Sequence, residues 1–422
     1  MRRVPLPFYL VCFLIMIIFV AGCAGSEGSP GPVGPAGAAG PVGPPGPAGE
    51  DATASQEYIG AEECGGCHED IYATFALTGH ANALTRIVDG QPPELPYTDR
   101  TGGLPDEPDD FTYADASYMI GGYGWKAIFV DQNGYLLTGE GEAATQYNFA
   151  NEEVDAPAGW VSYHPGEQLT FECAVCHTTG YAPQGRQDNL EGISGTWAFE
   201  GVQCERCHGP GSRHADNPQG VRMVVNQSAN ECGDCHALDN PALIEADNGF
   251  EHHQLQFEDL YNSKHFALEC VDCHDPHASG VFADEELNPN QGVRQVCESC
   301  HWSQAAVQNV RFHLGNECVD CHMPPMAFSA QGNLDLYTAD VRSHQFSINT
   351  DPDAPQFTED GEFVMPYLTL QYACGHCHND EVAGIRDWNL MSERAKGYHT
   401  PPTPTPEPSP TPEIVETATP EP

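Results

Sequence analysis

His265-Phe-Ala-Leu-Glu-Cys270-Val-Asp-Cys273-His274 returns with the same spacing as His313-Leu-Gly-Asn-Glu-Cys318-Val-Asp-Cys321-His322. The invariant core of this repeat is C-x-x-C-H. Six more copies occur: Cys64-Gly-Gly-Cys67-His68, Cys173-Ala-Val-Cys176-His177, Cys204-Glu-Arg-Cys207-His208, Cys232-Gly-Asp-Cys235-His236, Cys297-Glu-Ser-Cys300-His301 and Cys374-Gly-His-Cys377-His378. At this chain's Cys and His frequencies, chance would supply about 0.03 copies. The eight copies use 16 of the 18 cysteines. Cys12 and Cys23 lie near the N-terminus, so no cysteine is left for a disulfide or a nucleophile.

The spacing has a chemical reason. Two cysteines three apart sit on one turn and can form thioethers to the two vinyl groups of a haem, while the adjacent His turns its imidazole to the iron. The motifs therefore predict eight covalently bound haem c groups. Their proximal ligands would be His68, His177, His208, His236, His274, His301, His322 and His378. Structural zinc would need paired half-sites for each metal, and does not explain a His after every second Cys.

Eleven of the 19 histidines remain for the far side of the irons. Methionine is the usual alternative, but the few Met beyond the N-terminal segment keep no regular relation to the motifs. Mostly bis-His haems are expected, poised lower than Met/His ones. His80, His214, His265, His277, His313 and His344 are the first candidates for distal ligands; His164, His252 and His253 are weaker ones. His214 and His277 follow their own motifs too closely to fold back onto the same iron, so each is expected to reach a neighbouring haem. The repeat gives His265 and His313 equivalent roles. His80 is expected on a helix over residues 69–84. His376, inside a motif, and His399, beside the tail, are expected to be bystanders.

The ends of the chain carry an address. Arg2 and Arg3 precede the apolar run Phe8–Val20, and Val20-Ala21-Gly22-Cys23 resembles a bacterial lipobox. Residues 1–22 are read as a lipoprotein signal peptide and Cys23 as the lipidated mature N-terminus. Gly then recurs at every third position from Gly25 to Gly49. Residues 23–55 therefore form either a polyproline-II spacer or a collagen-like stalk able to trimerise. Residues 400–422 alternate Pro with Thr, Ser and Glu, and read as a disordered tail. Residues 56–399 are left as the cytochrome domain, placed outside the cytoplasm on a lipid anchor at the periplasmic face or the cell surface.

Composition narrows the partners. The 422 residues include 61 acidic and 16 basic side chains, a formal charge of -45, with Lys126, Lys264 and Lys396 the only lysines. Such a chain does not bind nucleic acid, whose phosphates need Lys and Arg. Two ionised propionates on each of eight haems would add up to roughly 16 negative charges. The expected partner is a redox protein or external electron acceptor with a basic or metal-bearing surface.

Short helices and weak apolar periodicity predict a mainly α fold with much irregular coil, built around the haems. Within residues 110–165, Trp125-Lys-Ala-Ile-Phe-Val-Asp-Gln-Asn133-Gly134-Tyr-Leu-Leu-Thr138 reads as a β-hairpin about an Asn-Gly turn. This β-rich insertion, with Tyr118, Tyr123 and Trp160, is expected to act as a lid, cover the first haem or wall a substrate pocket.

Several stretches resemble a known family. They are Tyr58-Ile-Gly-x3-Glu-Cys64-Gly-Gly-Cys67-His68 with Thr78-Gly-His80, Gly201-Val-Gln-Cys204-Glu-Arg-Cys207-His208-Gly-Pro-Gly-Ser-Arg-His214, Cys270-Val-Asp-Cys273-His274-Asp-Pro-His277 and Cys318-Val-Asp-Cys321-His322-Met-Pro. They are similar to the multihaem cytochromes c that include the tetrahaem electron acceptor of ammonia oxidisers, hydroxylamine oxidoreductase and the octahaem reductases. The resemblance covers most of residues 56–380. It implies haems stacked in pairs on a mainly helical fold, and puts the six first-choice histidines where distal ligands lie. No motif here has Lys in place of His, as in the family's pentahaem nitrite reductases. No tyrosine can be matched to the one cross-linked to haem in hydroxylamine oxidoreductase, and no catalytic residue is assigned. Two functions follow. One is electron transfer through a chain of mostly bis-His haems. The other is oxidation or reduction of a small nitrogen or sulfur compound (nitrite, hydroxylamine or tetrathionate class) at one five-coordinate haem.

Overall fold

The computed structural model describes residues 56–400 except 106, 109, 239, 309–312, 314 and 380–385; the side chain of Gln308 is also left out. The expected signal peptide, Cys23, the stalk and the tail beyond residue 400 lie outside the described residues.

The fold is not mainly α. Helix accounts for 24% and strand for 22%, and the strands form two five-stranded sheets. The first sheet holds β1 (Leu84–Arg86), β2 (Ala116–Gly121), β3 (Lys126–Asp131), β4 (Ala144–Asn148) and β5 (Gly159–Ser162), antiparallel and in chain order. Alternation along β2 and β3 fills both faces. Met119, Ala127 and Phe129 pack on one side with Tyr147 and Phe149. Tyr118, Ile120, Ile128 and Val130 pack on the other with Phe171, Ile193 and Trp197. A sheet buried on both faces reads as a near-continuous apolar run, which masks its period of two. Gly121 ends β2 at φ 73°, and a Cβ there would meet the Lys126 carbonyl at 2.7 Å.

At the Asn133-Gly134 turn, Gly134 has φ 93° and its N–H donates to the Asp131 carbonyl at 3.1 Å. The chain then folds back along β3, with the Leu137 N–H donating to Phe129 O at 2.8 Å. The full ladder partners of β3, however, are β2 and β4. Beyond it, β6 (Thr178–Thr179) pairs with β7 (Phe199–Glu200).

The later strands are β8 (Ile244–Asp247), β9 (Phe250–His252), β10 (Pro325–Asn333), β11 (Thr338–Arg342), β12 (Ile348–Asn349), β13 (Phe363–Val364) and β14 (Leu368–Thr369). The second sheet has the order β11-β10-β9-β8-β13, with only β9 and β10 parallel. Asn248 and Gly249, at φ 52° and 81°, close the β8–β9 hairpin. Two successive positive φ values match the right-handed strand twist and favour Asn-Gly. Phe250, Leu255, Met326, Leu368 and Tyr372 form this sheet's own core. Side chains thus build cores that the sequence had seemed to leave to the haems, and this is why the α expectation fails.

The helices are short, as expected. The longest described, Trp388–Ala395, has eight residues. Most motifs are a single turn, in which the His N–H reaches back to the carbonyl of the first Cys, as at His68 (2.9 Å) and His301 (2.8 Å). The Glu-Cys-Val-Asp repeat is a reciprocal cap. Glu269 pairs with Asp272 and Glu317 with Asp320, satisfying free N–H groups at each helix start. The helix expected over 69–84 stops at Phe75. Thr78 Oγ1 donates to the Phe75 carbonyl at 2.7 Å, and the chain turns into β1 at Leu84. His80 therefore sits in a turn. Among the described residues no helix is long and apolar enough to cross a membrane.

Candidate functional site

Seven of the eight motif histidines face a second imidazole. His68 stands 6.3 Å from His214, His208 6.2 Å from His277, and His236 6.0 Å from His80, measured between ring centres. His274 stands 6.0 Å from His344, His301 5.8 Å from His265, His378 6.0 Å from His313, and His322 6.0 Å from His399. Two imidazoles bound on opposite sides of one metal at about 2 Å each put their ring centres about 6 Å apart.

The outer ring nitrogens support the same fit. His208, His214 and His322 each direct Nδ1 at a backbone carbonyl (Val224, Val221 and Phe346) at 2.6–2.7 Å. His236 Nδ1 meets Gln256 Oε1 at 3.1 Å, and His313 Nδ1 meets the Tyr398 hydroxyl at 3.2 Å. The bonds to carbonyl and amide oxygens place the proton on Nδ1 and leave Nε2 as the ligand atom. The sixteen motif cysteines form no disulfide, and no group of three or more His, Cys, Asp or Glu among the described residues could hold a bare metal ion. Paired imidazoles beside free cysteines fit haem c.

The pairs cross between motifs. His214 and His277 each serve a motif other than their own. His265 and His313 each face the motif that follows the one beside them. His399, given no role by its position in the sequence, faces His322. His376 and His164 face no motif imidazole; His164 Nδ1 lies 3.7 Å from Glu167.

Motif cysteines also abut one another, and this orders the motifs in space. The thiol of Cys64 contacts Cys204, Cys232 contacts Cys270, and Cys297 contacts Cys318. Cys207 lies near Cys232, Cys273 near Cys297, and Cys321 near Cys374. The first, third, fourth, fifth, sixth, seventh and eighth motifs thus form a row. The second joins it from the side, where Cys176 contacts Cys235 of the fourth.

The second motif differs from the rest. His177 Nδ1 meets the Ala83 carbonyl at 2.9 Å, yet no other described imidazole stands opposite its ring. Instead, a cavity of about 490 Å³ opens between the two sheets. Lys126 of β3, Gln146 and Asn148 of β4, and Tyr163 and His164 beyond β5 line one wall. Asp247, His252, His253 and Phe328 to Ala330 line the other. The sheets are tied across the cavity by Lys126 Nζ donating to the Ser329 carbonyl. Trp125 Nε1 also donates to Asp340 O at 2.7 Å.

The chemistry of this lining follows from burial. Desolvation lowers the Lys126 pKa, against the pull of Asp340 and Asp247, and Cys173 of the second motif is close enough to act on it. Burial, then the neighbouring Lys126 and His252, push His253 down to about 3, and His177 adds to that effect. Burial lowers His252 as well, and its Nδ1 is a buried atom with no partner. Burial raises the Tyr163 hydroxyl, so it stays protonated at neutral pH. The cavity therefore offers one cation, Lys126, one carboxylate, Asp247, the neutral imidazoles of His252 and His253, and the Tyr163 phenol. His252 and His253 stack 4.7 Å apart in its wall rather than across from a motif. Sequence reading missed Lys126 here. Its signal was slight, a lone Lys inside an apolar strand of a chain nearly devoid of Lys.

Residues 143–209 match the family of cytochrome c554 and c-prime, and residues 265–306 match the doubled CXXCH motif. The dissimilatory sulfite reductase MccA of Wolinella succinogenes is 23% identical, over 70% of this chain and 55% of that protein. The multihaem cytochrome MtrA of Shewanella baltica is 25% identical, over 44% of this chain and 54% of its own. The chain thus spans about half the length of the curated relatives it matches. The fold resembles that of octahaem MccA, with TM-score 0.56 and 18% identity over 82% of this chain and 71% of that one. It also resembles the outer cell wall cytochrome OcwA, with TM-score 0.50 and 17% identity over 80% of this chain and 86% of that one.

Proposed function

Because the chain is a multihaem c-type cytochrome, we propose that it carries eight haems, seven held by two histidines each and one, on His177, held by a single histidine. Seven motif imidazoles face a partner at 5.8–6.3 Å, whereas His177 has none opposite it among the described rings and its motif borders a cavity through Lys126, Tyr163 and His253; this contrast carries the reading. Haems held on the abutting motifs would lie close enough to exchange electrons along the row, with the second motif joined to it at the fourth. The function is reduction or oxidation of a small sulfur or nitrogen compound in the cavity. Sulfite, the substrate named for MccA, is the first candidate.

A haem bound there supplies electrons and an open coordination position. The chain supplies the rest. The Lys126 ammonium attracts an anionic substrate, and its link to Ser329 O fixes where the charge stands. Tyr163, protonated, donates a hydrogen bond or a proton to a substrate oxygen. His252 and His253, neutral near pH 7, hold polar contacts without adding charge. The lining residues come from both sheets. Export to a position outside the cytoplasm, with a lipid anchor at Cys23, is part of the same reading.

The test is electron paramagnetic resonance of the oxidised holoprotein, with cyanide and nitric oxide titrations. A minority high-spin ferric signal that either ligand abolishes is expected, and Lys126→Gln should raise the half-saturating sulfite or nitrite concentration without removing that signal. Wholly low-spin spectra, indifferent to both ligands, would leave electron transfer alone as the function, the reading that the continuous row of motifs also serves.

A further inference from the structure

The sixteen inner positions of the eight motifs include five acidic residues and one Lys or Arg, which is Arg206. That single cation stands where three motifs meet. It belongs to the third. Its Nη2 lies 3.8 Å from Cys235 Sγ of the fourth and 3.7 Å from Asp234 Oδ2, and its Nη1 lies 4.0 Å from Glu231 Oε1. The second motif arrives at the same place, with Cys176 Sγ 4.0 Å from the Asp234 carbonyl oxygen. The Arg206 side chain is 22% exposed, so solvent screens it only partly.

A haem gains one electron on reduction and loses one unit of positive charge. A fixed cation nearby favours the reduced form, and an unpaired carboxylate opposes it. At this junction both effects hang on one residue. Without Arg206, the charges of Asp234 and Glu231 would act on the second and fourth motifs uncompensated. We infer that Arg206 is a potential-setting residue that holds electrons at the branch between the row of motifs and the His177 site. The inference rests on the reading of these motifs as haem-bearing, and adds to it the point at which electrons collect before they leave the row.

The experiment is a spectroelectrochemical titration of the full holoprotein, followed by visible absorbance and by paramagnetic resonance, for Arg206→Gln, Arg206→Lys and Arg186→Gln. Arg186 is exposed and takes no part in the Asp234–Glu231–Cys235 cluster, and serves as the charge control. Haem content per chain is measured first. With the full complement present, Arg206→Gln should lower the reduced-to-oxidised ratio of one or two haems about tenfold at a fixed potential, which is 59 mV for one electron. Arg206→Lys should recover most of that change, and Arg186→Gln should leave every haem where it was. Unchanged potentials in Arg206→Gln, or an equal drop in Arg186→Gln, overturn the inference while leaving the haem reading intact. A chain that binds no haem in any variant overturns the haem reading itself.

Discussion

Replacing Glu205 with Ala should unfasten the first motif from the third. Glu205 is the residue after Cys204 and is 2% exposed. Its Oε1 accepts from Gly211 N at 2.7 Å and Ile59 N at 2.9 Å, and its Oε2 accepts from Gly60 N at 2.8 Å and Ile59 N at 3.0 Å. Three backbone N–H groups from the segments that precede the first motif and follow the third thus end on one carboxylate. A hydrogen bond to a charged group contributes about 1.5–3 kcal/mol, so the three sum to about 4.5–9 kcal/mol in gross terms. Desolvation of the carboxylate takes back several kcal/mol. A net loss of about 3–5 kcal/mol is expected for Glu205→Ala, because the N–H groups of Gly60 and Gly211 stay buried, and that of Ile59 half-buried, without partners. Glu205→Gln keeps one acceptor oxygen and should lose about half as much. Denaturant unfolding of the holoprotein gives the stability, and hydrogen exchange of residues 57–61 gives the location. Gln203 Oε1 still accepts from Ala61 N at 2.9 Å, so the segment should loosen rather than detach. A Glu205→Ala protein within about 1.5 kcal/mol of the parent, the lower limit of one such bond, would refute the reasoning. So would unchanged exchange at Ile59 and Gly60.

Three further outcomes are expected. His399→Ala should add a second high-spin ferric signal by leaving His322 alone on its haem; an unchanged spectrum would show that His399 is not a ligand. Gly249→Val should destabilise the second sheet by about 1–2 kcal/mol from the left-handed backbone alone, with more from the Leu334 side chain, 2.8 Å from the new Cβ; an unshifted denaturation midpoint would contradict it. His253, held down to about 3 in the fold against 6.5 when free, binds fewer protons folded than unfolded between those values. Its contribution to stability is therefore full above pH 6.5 and is lost as pH falls toward 3. His253→Gln should flatten that acid limb in equilibrium unfolding, and an identical slope would exclude His253 as its source.

Much of the chemistry was legible before the fold, because C-x-x-C-H is a local signal that one helical turn expresses in full. Which histidines face a motif imidazole was partly legible. His265 and His313 share a repeat, and His214 and His277 lie too near their own motifs to serve them. Their partners were not legible, since each lies many residues away on a chain whose path the motifs do not set. The sheets were hidden for two physical reasons. In β2 and β3 both faces are buried, so the alternation that betrays a half-exposed strand is absent. In β8 and β9 the strands are short, and the Asn248-Gly249 pair between them is the same signal that marked Asn133-Gly134. The insertion was read for its strands, but its neighbour was not foreseen. Lys126 and Tyr163 lie close to Cys173 of the second motif, so the insertion borders that motif.

The crossed pairing of histidines has a mechanical consequence. On the proposed ligation each iron clasps two distant points of the chain, and the clasped intervals overlap. His68 to His214 overlaps His80 to His236, which overlaps His208 to His277. The run continues through His265 to His301, His274 to His344, His313 to His378 and His322 to His399. Every peptide bond between His68 and His399 is therefore spanned by at least one iron. A protease that cuts the backbone once anywhere in that stretch severs the strand but not the object. Both pieces stay pinned to a common haem until the axial bond is broken. Resistance of this kind needs no disulfide.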